Sequence, residues 1–188
     1  MKIGRLILRF IVGGYFIGHG TQKLLGWFGG YGPEGTGQFF ESLGLRPGKH
    51  HALAAGAAET GGGVLLVAGA ATPLAATLLT STMLTAINRV HLKNGPWVTD
   101  QGYEYNLVLI AVALALAETG PGSPSIDAAI GAKWHGPKWA ILSLLAGIAG
   151  AIGAHVYAES APAPEPTPQE EQAAQDAVAP DAASTQSI

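Results

Sequence analysis

The chain has 188 residues, 48% of them hydrophobic and only 12% charged, against roughly 25% charge in ordinary soluble domains, which argues against a water-facing globule. Six of its thirteen acids, and none of its ten basic residues, lie from Glu159 onward, so seven acids face ten bases before that point and the first 158 residues carry +3. The absence of cysteine excludes disulfides, thiolate metal sites, CxxC redox pairs and c-type haem attachment, leaving any redox role to a bound cofactor or a partner.

Five windows are apolar over the roughly 20 residues needed to cross hydrocarbon. The first, Ile3 to Leu25, resembles a signal peptide in having Lys2 and Arg5 ahead of an apolar run. A cleavage site needs small residues in an A-x-A pattern, however, and the first alanine is Ala52. Residues 26 to 50 hold eight glycines, with Phe39, Phe40 and Leu43 spaced like a short interfacial helix face. The second window, His51 to Ala71, contains one acid, Glu59. Thr72-Pro73 makes a tight connection to the third, Pro73 to His91. The fourth, Gln101 to Thr119, is stopped by Gly120-Pro121-Gly122. The fifth, Pro137 to Tyr157, opens with proline and carries Ala146, Gly150 and Ala154.

These spans predict an all-α polytopic transmembrane bundle of four core helices plus a fifth C-terminal helix. The division is 1–128 for the four-helix membrane domain, 129–158 for a linker and the fifth helix, and 159–188 for an acidic tail. That tail is rich in Pro, Ala, Glu and Gln and too poor in large apolar residues to offset ordering, so it is expected to be disordered. With a cytoplasmic N-terminus the inner side collects Lys2, Arg5, Arg9, Lys133 and Lys138, as the positive-inside rule favours.

Alternating helices bring polar residues of four segments to one leaflet. Lys23 lies near the surface, and His19 is on the same helix face about 6 Å deeper. Glu59 lies about 12 Å down from that side. Asn88 and Arg89 end the third window, while Tyr103, Glu104, Tyr105 and Asn106 begin the fourth. The cluster balances Lys23 and Arg89 against Glu59 and Glu104. It reads either as an ion-pair network that sets helix register, with Lys23, Arg89 and Glu104 snorkelling, or as a polar pocket for a small polar-headed ligand such as a quinone. Glu59 is too deep to snorkel easily, and His19 beside it offers a proton relay.

The residues that carry this pattern resemble a known family. His19-Gly20-x-x-Lys23, Glu59-x-x-Gly62 with Gly69 and Thr72 following, Met83-x-x-Ala86, Gly102-x-Glu104, and Gly120-Pro121-Gly122-x-x-Ser125-x-Asp127 are similar to the DoxX family of small bacterial membrane proteins. The resemblance covers about residues 3 to 128; beyond 130 the chain departs from it. It implies a four-helix membrane bundle associated with redox functions. The family takes its name from a thiosulfate:quinone oxidoreductase subunit, and relatives are linked to quinone, oxidative and thiol stress. Its matching polar positions are His19, Lys23, Glu59, Glu104 and Asp127.

The expectation is therefore a multi-pass bacterial cell-membrane protein serving a quinone-linked oxidoreductase or redox-stress system. Glu59 and His19 exchange protons, Lys23, Asn88, Arg89 and Glu104 bind the ligand, and Asp127 is structural. A quinone is the cofactor expected, with none bound covalently and no metal. The partners are the lipid bilayer and a redox protein, with a homo-oligomer left open and no nucleic acid. The competing expectation is a non-catalytic scaffold or accessory subunit, built on small-residue helix faces. A small transporter is disfavoured by the lack of a matched pair of Gly/Pro-broken spans. Gly30-x-Gly32-x-x-Gly35 imitates a dinucleotide fingerprint but follows a membrane helix rather than a strand. His19, His50, His51 and His91 face one leaflet as haem ligands would, but His50, His51 and His91 are read instead as ordinary interfacial residues.

Overall fold

The computed structural model describes residues 3–162 together with 169, 171 and 172, and all of its described regular structure is helical. Seven α-helices follow one another through residue 160: α1 Ile3–Leu25, α2 Gly32–Ser42, α3 Gly48–Ala68, α4 Thr72–Ala86, α5 Glu104–Thr119, α6 Ile126–Ala129 and α7 Pro137–Ser160. This is the all-α bundle read from the sequence. The acidic tail expected over 159–188 begins inside α7, which runs through Ser160, and nearly all of the remainder lies outside the described residues.

Glycines set the α1–α3 contact. Gly13 and Gly20 on α1 and Gly56 and Gly63 on α3 are each seven residues apart, and the antiparallel helices pair Gly13 with Gly63 and Gly20 with Gly56. A Cβ on Gly13 would sit 2.7 Å from the Gly63 carbonyl oxygen, and one on Gly63 would sit 2.6 Å from that of Gly13. Only hydrogen fits there, so the two backbones approach as closely as small-residue membrane helices do.

A left-handed residue ends α3. Gly69 adopts φ 62°, its N–H donates to the Leu66 carbonyl at 3.0 Å, and that of Ala70 donates to Leu65 at 2.9 Å, the closing pattern that leaves glycine at this position. The chain then reverses into α4 through Thr72-Pro73. Window three is not one regular helix: α4 stops at Ala86 and the chain continues as a π-helical segment, Ile87–His91. Such segments re-aim side chains within a helix, and this one carries Arg89. Window four loses its first turn to the loop before Glu104.

α7 lies parallel to α4. Ser143 Oγ donates to the Pro73 carbonyl at 2.9 Å, Gly147 abuts Thr80, and Gly150 abuts Ser81. Val12, Phe16, Leu66, Ala75, Leu79 and Leu116 form the core, with a smaller layer of Ala76, Ala113 and Ala117. Meanwhile Ile7, Phe10, Leu107, Val108, Ile141, Leu145 and Ile152 are exposed on the outside, a surface that suits lipid better than water. Among the described helices, α3 and α7 are long and apolar enough to cross a membrane. α4 and α5, at 15 and 16 residues, are shorter than their sequence windows, and α1 carries Arg5, Arg9 and Lys23.

Candidate functional site

The glycine seam positions one ion pair. Side chains on a helix lean toward its N-terminus, so Lys23, near the end of α1, folds back along its own helix rather than outward. Its Nζ donates to the His19 carbonyl at 3.3 Å and to Glu59 Oε2 at 2.6 Å. The pair is mostly buried, with side-chain exposures of 20% for Lys23 and 7% for Glu59. Glu59 lies about 16 Å along α3 from Gly48 by helix rise, near mid-helix. The ammonium is thus drawn inward, opposite to the snorkelling expected of a terminal lysine. Glu59 Oε1 has no hydrogen-bond partner among the described residues.

The pair opens onto a cavity of about 770 Å³, within the range of small-molecule sites. Its walls are mainly apolar: Ile11, Val12, Tyr15 and Phe16 from α1, Ala54, Ala55 and Ala58 from α3, Met83 and Ala86 from α4, and Tyr105 and Leu109 from α5. Phe39 and Phe40 of α2 and Leu43 just after it cover one side, and Gly150 and Ala154 of α7 close another. Polar groups are few: His19, Lys23, Glu59, His51, Arg89, His91, Gln101 and Asn106, besides the hydroxyls of Ser81, Thr82 and Thr85. Asn106 is buried and donates to Met83 Sδ at 3.4 Å, a weak acceptor.

Of the residues singled out in the sequence, His19, Lys23, Glu59 and Arg89 line this cavity; Asn88 and Glu104 do not. Asn88 is exposed on the π segment. Glu104 turns back on its own loop, where Oε1 accepts the Val98 N–H at 2.8 Å. The anticipated charge balance therefore loses an acid. His19 is exposed, and its ring engages Gln22 at 3.1 Å rather than Glu59. The other histidines also have separate partners. His51 Nε2 meets the Arg46 carbonyl at 3.2 Å, His50 Nδ1 meets the Tyr157 hydroxyl at 2.8 Å, and His91 Nδ1 meets the Gln101 carbonyl at 2.7 Å.

His155 was not anticipated. It sits on α7 next to Ala154, and its Nδ1 accepts from Arg89 Nε at 2.9 Å. The sole sequence signal was its place after the small-residue stripe that packs α7 on α4.

Asp127 is far from the cavity, at the opposite end of the bundle. It is buried, and its carboxylate accepts the Ala71 N–H at 2.8 Å, the Thr72 N–H at 3.3 Å and the Thr72 hydroxyl at 3.1 Å. Those are the free donors at the start of α4, which a negative charge stabilises. Arg9, counted in the sequence among surface charges, is 2% exposed. Its guanidinium donates to the carbonyls of Leu66 at 2.9 Å, Val67 at 2.7 Å, Pro121 at 3.1 Å and Pro124 at 2.8 Å. Arg5 donates to the carbonyls of Thr119 and Gly120 at the end of α5. Cations at helix C-termini and an acid at an N-terminus complement the helix dipoles, so this pole locks loops to helices. Gly30-x-Gly32-x-x-Gly35 falls on the start of α2, with no strand before it among the described residues.

The family described as DoxX matches residues 4–92. A protein of Bacillus subtilis (strain 168) named "Putative oxidoreductase CatD" is 39% identical over 115 residues, which cover 61% of this chain and 79% of that protein. No solved structure matches the chain.

Proposed function

The chain belongs to the DoxX family of membrane proteins, and we propose that within it this protein is a multi-pass component of a quinone-linked redox system, with the quinone ring held in the α1–α5 cavity. The observation that carries this reading is the inward-drawn Lys23–Glu59 pair at the edge of an apolar-walled space of about 770 Å³. A quinone needs a flat apolar slot for its ring and polar groups at its oxygens, and the lining offers both. When bound, it supplies two-electron, two-proton chemistry. The name of the Bacillus subtilis relative points in the same direction.

The residues divide the work by their chemistry. The Lys23 ammonium donates toward a ring oxygen and stabilises negative charge there, an electrostatic role strengthened by low dielectric. Glu59 Oε2 is held by Lys23, while Oε1 is free to accept a proton from a ring hydroxyl. His19, at the exposed edge beside Gln22, passes that proton toward solvent, and the proton of the second ring hydroxyl leaves by the same residues once Glu59 is free again. Arg89 polarises the other end of the ligand. A redox partner protein receives the electrons. The site lies in the cell membrane, with the N-terminus cytoplasmic.

The test is the affinity of the full-length protein in lipid nanodiscs for a short-chain naphthoquinone. Glu59→Gln and Lys23→Met are each expected to weaken binding about tenfold, the cost of one charged hydrogen bond, with helicity unchanged. Equal affinity in all three proteins would remove the assignment. A second reading, a non-catalytic scaffold, is favoured by the glycine seam itself. In that case Glu59→Gln lowers stability or assembly and leaves no quinone affinity to lose.

A further inference from the structure

Three charged side chains line the cavity: Lys23, Glu59 and Arg89. Lys23 and Glu59 neutralise each other at 2.6 Å. Arg89 has no such partner, since the ion pairs among the described residues are Lys23–Glu59 and Lys49–Glu34. Glu104, which would have balanced it, points into its own loop. Glu159, exposed on the last turn of α7, acts electrostatically on His155 but does not pair with Arg89.

What holds Arg89 is neutral. Nε donates to His155 Nδ1 at 2.9 Å, so that imidazole nitrogen is unprotonated and accepting. One terminal nitrogen donates to the Leu43 carbonyl at 3.5 Å, the outer limit of a hydrogen bond. The other has no protein partner among the described residues. The guanidinium is therefore fixed by its own π segment, the residue after α2 and α7, while among the described residues its charge has no acidic partner beside an apolar wall. An unpaired charge in such a place is costly, and a ligand that brings the opposite charge removes that cost.

We propose that the cavity selects a ring-bearing organic anion, whose ionised oxygen pairs with Arg89 while the ring lies against Phe40, Met83 and Tyr105. This rests on the quinone-site reading and narrows it: the preferred ligand is an acidic ring, such as an ionised hydroxyquinone, over a neutral one. The guanidinium fork suits an oxyanion. His155 is a positioning residue, occupying Nε so that the terminal nitrogen without a protein partner, and the one held only at 3.5 Å by the Leu43 carbonyl, are left for the ligand. It comes from α7, outside residues 4–92 that match the family.

The experiment compares a hydroxynaphthoquinone, ionised at neutral pH, with its neutral methyl ether, binding to the full chain in phosphatidylcholine nanodiscs. The wild type is expected to bind the anion about tenfold more tightly than the ether, the worth of one charge-assisted hydrogen bond. Arg89→Gln should erase that preference, Arg89→Lys should keep part of it, and His155→Leu should reduce it without weakening the ether. Should Arg89→Gln fail to fold, the wild-type ratio and the His155→Leu ratio decide alone. Equal wild-type affinities overturn the anion preference and leave the quinone site standing; no binding of either ring overturns both. A preference that disappears when phosphatidylglycerol joins the nanodisc assigns Arg89 to a lipid headgroup and overturns the ring anion.

Discussion

Replacing Arg9 by Met tests the lock at the far pole of the bundle. The substitution keeps volume and apolar stem but removes every donor. Of the four carbonyls that Arg9 reaches, Leu66 retains the Gly69 N–H at 3.0 Å, whereas Val67, Pro121 and Pro124 lose the donor they have. Each buried carbonyl left unsatisfied costs about 1–3 kcal/mol. Two of these three bonds are only partly buried, so water recovers part of the loss and the total should lie near 3–5 kcal/mol. Arg9→Lys has a single nitrogen that cannot span both the α3 end and the Pro121–Pro124 loop, and should recover less than half. The assay is reversible unfolding in mixed micelles, followed by circular dichroism. Arg9→Met within about 1 kcal/mol of wild type, with Arg9→Lys indistinguishable from it, would refute the idea that this arginine ties α3 to the loop.

Gly20→Ala should cost about 1–3 kcal/mol by overpacking, because the new Cβ would sit 2.5 Å from the Thr60 nitrogen and 2.7 Å from the Gly56 carbonyl oxygen. Gly14→Ala, where nothing lies within 4 Å, should be neutral in the same unfolding assay. Asp127→Asn keeps one acceptor oxygen but loses the charge at the α4 N-terminus, and a loss of about 1–2 kcal/mol is expected; Asp127→Ala should lose more. For the central pair, Lys23→Met with Glu59→Leu should be less destabilising than either single change, since each single variant strands a partly buried charge. Additive single effects would show that the pair is not coupled.

Much of the framework was readable from residue order. α1 ends where the first window ends, Pro137 opens the last helix, and the spacing His19-x-x-x-Lys23 with a mid-span Glu59 brought those residues to one end. The inward faces of α4, α5 and α7 were not readable, because helices apolar all round carry no polar stripe to mark a buried side. Small residues such as Ala75, Ala113 and Gly147 mark it instead. Glu104 and Asn88 were placed in the site by depth alone, yet depth does not give rotation, and the π segment from Ile87 shifts the register further. Arg9 looked like an inner-surface charge because nothing local shows that the end of α3 and the Pro121–Pro124 loop supply its carbonyls. His155 depended on a parallel α4–α7 contact that joins residues 66 apart in sequence.

A quinone held in the cavity beside Lys23 and Glu59 would copurify with the protein. Full-length protein extracted from its membrane in mild detergent and freed of bulk lipid can be analysed for bound quinone by mass spectrometry of the organic extract. Quinone is expected in near-equimolar amount to the wild-type protein, with a strong depletion in Glu59→Gln prepared in parallel with unchanged helicity. Quinone at the level of the residual lipid in both preparations would contradict the quinone assignment.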